Sequence, residues 1–145
     1  MTVHLSQEDG REWVLRAVVR RQGQPQFRAA LIDAYDARCA ITGCALLVIL
    51  EAAHITPYLG PETNSVSNGL LLRADIHTLW DLALIAIDPT TMLLAVSLEV
   101  NDVAYLALIG TLVYQPLKAS SRPSMAALRQ QWSMFHESAR SSSVA

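Results

Sequence analysis

The chain has 145 residues, 52 % hydrophobic and 17 % charged, with a formal net charge of −2. So apolar a chain is not disordered. Its 11 basic and 13 acidic residues exclude a strongly basic coat for nucleic acid. Two cysteines, Cys39 and Cys44, exclude a disulfide-stapled miniprotein and are expected as thiols. The length suits one domain, expected over 1–145 with 1–10 and 140–145 flexible. No apolar run approaches the ~18 residues of a membrane span. The first residues, MTVHLSQEDGRE, lack the apolar stretch of a signal peptide, so the expected compartment is the cytoplasm.

In chain order, residues 1–10, including His4, read as a polar arm. Residues 11–21 place Trp13, Val14, Ala17 and Val18 at helical spacing, with arginines at 11, 16, 20 and 21 on an outer face. Gly23 to Pro25 break that helix. Phe27, Leu31 and Tyr35 then predict a second amphipathic helix over 26–38. Residues 11–38 carry six arginines against three acids, the most basic part of the chain. A turn, TGC, lies within 39–46. Residues 47–55, LVILEAAHI, predict a buried strand.

The stretch TPYLGPETNSVS reads as a loop, NGLLL (68–72) as a short strand, and ADIHTLWDLA (74–83) as a helix. LIAID and MLLAVS, joined by Pro89–Thr91, predict a hairpin. A short helix over 102–109, a strand at TLVYQP, and a C-terminal helix over 125–138 capped by Ser124 complete the reading. Trp13, Trp80 and Trp132, each at helical spacing, are expected as core anchors.

Chemistry concentrates in the central third. His54 ends the apolar strand and Asn68 opens the returning one. His77 lies in the next helix, with Asp81 one turn further on, so the two side chains share a face. An imidazole beside a carboxylate suits a divalent metal. The order is strand with His, loop, Asn, strand, then helix with His and Asp.

The segments EAAHITP, NGLLL and ADIHTLWD together resemble the HNH endonucleases, with their ββα-metal fold. QPQFRAALIDAYDARCAITGC upstream and ALIAIDP downstream look like the bacterial subgroup related to restriction endonucleases. The resemblance covers roughly residues 20 to 138. It implies an α+β fold: a ββα-metal core at about 47–83, flanked by N-terminal helices, a β-hairpin and a C-terminal helix.

What the resemblance implies for function is metal-dependent hydrolysis of DNA phosphodiester bonds. His54 matches the general base, and an imidazole that titrates near neutrality suits that work. Asn68 matches the asparagine that pins the loop and so orients the base. His77 matches the metal-ligand histidine, and Asp81 stands where some relatives carry another ligand. Arg73, after the second strand, is placed to contact a phosphate. The implied cofactor is one divalent ion, first of all Mg2+, with Mn2+, Ni2+ or Zn2+ as substitutes. The implied partner is DNA, bound weakly, with salt sensitivity and metal dependence.

The chain departs from the family at Ala53, where many members carry a metal ligand before the base. Glu51 lies two positions back on the same side of the strand and reaches the metal only if the strand end bends. The departure motivates an alternative: a degenerate, non-cleaving HNH domain that binds nucleic acid or a protein partner. A further reading is an interaction domain that forms a homodimer through exposed apolar surface.

Overall fold

The computed structural model describes residues 6–57 and 59–143; His4, Tyr58 and the last two residues lie outside this range. Helix α1 (Gln7–Gln22) is capped by Ser6, whose hydroxyl oxygen accepts from Asp9 N. It therefore takes in part of the expected arm and starts at Gln7 rather than Arg11. Gly23 stops it at φ 102, and a Cβ there would stand 3.0 Å from that of Ala52. Helix α2 (Pro25–Ala34) follows, with proline in its first turn and the Gln24 side chain accepting from Phe27 N. It ends at Ala34, short of residue 38, because Asp36 and Ala37 turn left-handed at φ 53 and 55.

Strands β1 (Leu50–His54) and β2 (Gly69–Arg73) form a two-stranded antiparallel sheet, with His54 opposite Gly69. The strand expected from 47 begins later, because Leu47–Ile49 close into a 3-10 turn. Asn68 likewise ends a 3-10 turn, one residue before β2. Side chains alternate across the sheet. His54 stacks on the Phe27 ring of α2, at 4.7 Å between centroids. On the opposite face, Glu51 meets helix α3 (Ala74–Asp81), which leaves β2 without a linker. Helices thus cover both faces, which is why Leu70, Leu71 and Leu72 are all fully buried in succession. Each such leucine contributes about 1.5–3 kcal/mol.

Strands β3 (Ile85–Ile87) and β4 (Leu94–Val96) form the expected hairpin. The strand expected at TLVYQP reduces to one bridge, Leu112 with Leu93. Helix α4 (Val103–Leu106) is capped by Asp102. Helix α5 (Met125–Ser143) runs past the expected end at 138 and lies on β3, where Gln131 Nε2 donates to Ile85 O at 2.9 Å. The result is the α+β architecture expected from the sequence.

The tryptophans part company. Trp80 is a core residue and Trp132 is half-buried, but Trp13 is 69 % exposed. Helix α1 buries none of its residues. Its amphipathic spacing does not serve the core of this chain.

Gly69 is the tightest point beside the candidate site. A Cβ there would come within 2.6 Å of the Phe27 ring and 2.9 Å of Leu31 Cδ1. Gly69→Ala is therefore expected to destabilise the fold by about 1–3 kcal/mol, read from urea unfolding. An unchanged midpoint would show that Phe27 and Leu31 yield freely.

Candidate active site

Between β1 and β2 the chain makes a long loop, and one side chain fastens both of its ends. Asn68 Oδ1 accepts from Thr56 N at 3.0 Å and from Thr56 Oγ1 at 2.8 Å. Its Nδ2 donates to Thr63 O at 3.0 Å. The clamp carries Asn64 to His54, where Asn64 Oδ1 lies 2.7 Å from Nε2. An amide oxygen only accepts, so Nε2 is the protonated nitrogen of that pair, and the lone pair of the neutral ring falls on Nδ1. Trp80 Nε1 donates to His54 O at 3.0 Å and ties the strand end to α3.

His77 is held at both ring nitrogens. Nδ1 is 2.7 Å from Glu51 Oε1, and Nε2 is 3.2 Å from Asp81 Oδ2. Glu51 is only 5 % exposed. Arg21 reaches in from the end of α1, with Nη2 3.4 Å from Glu51 Oε1 and 3.2 Å from Thr78 Oγ1. Burial works against protonation of His77, but the bonds to Asp81 and Glu51 outweigh it and raise its pKa above the ordinary imidazole value.

A cleft of about 490 Å³ joins these parts. His54, His77 and Asp81 line it, together with Trp80 and with Arg20 and Arg21 of α1. Three of the five residues expected at the site therefore meet there. Asn68 does not line the cleft; its amide is committed to the loop. Arg73 does not line it either, because its guanidinium grips Asp75 through Nε at 2.6 Å and Nη2 at 2.9 Å. Arginines 20 and 21 supply cations on the cleft wall instead.

Among the described residues, no group of three or more His, Cys, Asp or Glu side chains gathers as a metal cluster. Glu51 does not replace the ligand missing at Ala53; its bond to Nδ1 orients His77. A carboxylate behind a ligating histidine fixes its tautomer and leaves the other nitrogen for a metal. His77 Nε2 and Asp81 Oδ2 thus make a two-donor set of imidazole and carboxylate. That set fits a divalent ion that keeps water in its remaining positions.

The pair behind β2 has a measurable signature. The hydrogen bonds from Arg73 lower the Asp75 carboxyl to a pKa of about 2, with help from the Tyr105 hydroxyl and against the effect of burial. A folded-state pKa below the ordinary value stabilises the fold above about pH 4, and this contribution is lost as pH falls toward 2. The Tm difference between wild type and Asp75→Asn is expected to be constant from neutrality to about pH 4 and to close below it. A difference that persists at pH 2 would contradict the assignment.

A family profile described as HNH endonuclease matches residues 39–88, which contain β1, the clamped loop, β2, α3 and β3. Over that stretch, about a third of the chain, the sequence is similar to the HNH endonucleases. A solved structure of a modification dependent TagI restriction endonuclease is similar over 72 % of this chain and 35 % of its own length, with a TM-score of 0.54 and 18 % identity. This chain thus corresponds to about a third of that protein, and the likeness concerns the fold. No curated protein matches the chain. No helix among the described residues is long and apolar enough to cross a membrane.

Asn64 and Arg21 join the site without a sequence signal that places them there. Nothing local marks Asn64, which lies in a polar loop. Arg21 belongs to a run of arginines of which only the end reaches the cleft.

Proposed function

We propose that this chain hydrolyses phosphodiester bonds of DNA, with His54 as the general base. The observation that carries the reading is the shared cleft, where His54 stands with the His77–Asp81 pair and two arginines. The base takes a proton from water, and the water oxygen attacks phosphorus as the bond to the 3′ oxygen breaks. Arg20 and Arg21 offer guanidinium groups to the phosphate oxygens. Asn64 holds the His54 ring, and Asn68 holds the loop that presents Asn64. His77 and Asp81 would hold the metal ion, and Glu51 fixes His77 in the ligating tautomer. Bound there, a divalent ion supplies Lewis-acid polarisation of the phosphate and stabilises charge on the departing oxygen. Mg2+ is the ion we assign, and Mn2+ is the convenient probe.

The two-donor metal set and Ala53 favour a second reading, in which the cleft binds DNA without cutting. Supercoiled plasmid with Mg2+ or Mn2+, with and without EDTA, separates the two. The first reading predicts nicked circles only when metal is present, and none from a His77→Ala/Asp81→Ala variant. Calorimetry with Mn2+ should show one site in wild type and none in that variant. Plasmid binding without nicking in any metal supports the second reading. Nicking that resists EDTA contradicts the metal assignment.

A further inference from the structure

We propose, resting on the reading of the cleft as a DNA site, that Gln131 of α5 accepts a hydrogen bond from an amino group of a DNA base. Gln131 lines the same cleft as His54, His77, Asp81 and the two arginines. It is only 5 % exposed. Among the described residues, its Oε1 is the one buried side-chain polar atom with no hydrogen-bond partner. A buried oxygen without a partner is costly, and a ligand that brings the donor recovers the cost. The other end of the amide is committed: Nε2 donates to Ile85 O at 2.9 Å. The free end is therefore an acceptor only, which repels a phosphate oxygen and selects an N–H or O–H group.

The chemistry of the cleft is divided between elements. Arg20 and Arg21 come from α1, which sits on β1. Gln131 and Met134, one turn apart on α5, come from the helix on β3. Helix α3, with His77, Trp80 and Asp81, packs against both strands. A nucleotide has the same division: an anionic phosphate, and a base with apolar faces and amino edges. At about 490 Å³ the cleft has room for more than a phosphate. The arginines suit the phosphate, and the neutral acceptor beside Met134 suits the base. The amino donors on base edges are adenine N6, cytosine N4 and guanine N2. Helix α5 lies outside residues 39–88, so the stretch matched by the family profile does not include this acceptor.

The test is a cycle between Gln131 and each base amino group, run on the full chain. Binding to short DNA duplexes with Mn2+ is read by fluorescence anisotropy. Three further duplexes each lack one kind of amino group: inosine replaces guanine, unsubstituted purine replaces adenine, or 2-pyrimidinone replaces cytosine. Wild type is expected to lose about 2- to 10-fold in affinity for one of the three, the worth of one hydrogen bond. Gln131→Met keeps the length of the side chain without its amide. It is expected to bind the parent duplex more weakly by a similar factor, with no further loss on that analogue. A side chain that only holds Ile85 O would lower the unfolding midpoint and leave the two losses additive. Additive losses therefore overturn the proposal. So does a wild type that binds all four duplexes equally, whether or not the variant folds. Additive losses joined to weaker Mn2+ binding by Gln131→Met without DNA overturn the base contact and assign the oxygen to a water on the ion. A wild type that binds none of the duplexes overturns the reading of the cleft, and this contact with it.

Discussion

Replacing His54 with alanine is expected to lower metal-dependent plasmid nicking by about a hundred- to ten-thousand-fold, the usual contribution of a positioned general base. The fold should tolerate the change. The ring loses its stack on Phe27, a contact of about 0.5–1.5 kcal/mol. The Trp80 bond ends on the backbone oxygen of residue 54 and so survives. Asn64, itself half-buried, can turn to water. Binding of Mn2+ should also survive, since His54 is not one of the two donors. Asn64→Ala gives the matching control: the imidazole stays but its tautomer is no longer fixed, and a smaller loss is expected in the same assay. Nicking by His54→Ala at the wild-type rate would remove His54 from its role.

Glu51→Ala is expected to weaken Mn2+ binding by about 10- to 100-fold, although Glu51 is not assigned as a ligand. The carboxylate fixes His77 from behind, and without it Nδ1 loses its acceptor inside the protein. Leaving a buried polar group without its partner costs about 1–3 kcal/mol, so the metal-free protein should also unfold more readily. Arg21 adds little to that figure, because its side chain is 55 % exposed and water screens the pair. Glu51→Gln keeps an acceptor and should recover part of both losses. Calorimetry and thermal unfolding read the two effects separately. A Glu51→Ala protein that binds Mn2+ as tightly as wild type would reduce Glu51 to a structural acid.

The order of elements through the candidate site was legible in the sequence because each signal there is local. An apolar strand ending in histidine, a polar loop, a second apolar strand and a helix with His and Asp one turn apart all lie within a short span. His77 and Asp81 converge because helical spacing makes them do so. The roles of Glu51 and Asn64 were not legible, since each depends on a neighbour distant in sequence. Strand alternation places Glu51 on a face but does not say which helix covers that face. Arg73 shows the reverse case: a cation beside the site is neutralised by Asp75, only two residues along. The spacing of α1 was read as a core face because periodicity reports that a helix has an apolar side, not what that side meets. TLVYQP has strand composition, but its one bridge leaves Leu112 exposed.

The Asn68 clamp bears on how such a chain can diversify. Because one amide fastens Thr56 and Thr63, the stretch between them is closed at its base whatever its length or sequence. Lengthening a closed loop costs little free energy, roughly 0.6 kcal/mol per doubling. Residues 59–62 therefore belong to a closed loop that selection or design can exchange for another surface while His54 and Asn64 keep their relation. New contacts to nucleic acid can be added at this edge without rebuilding the chemistry behind it.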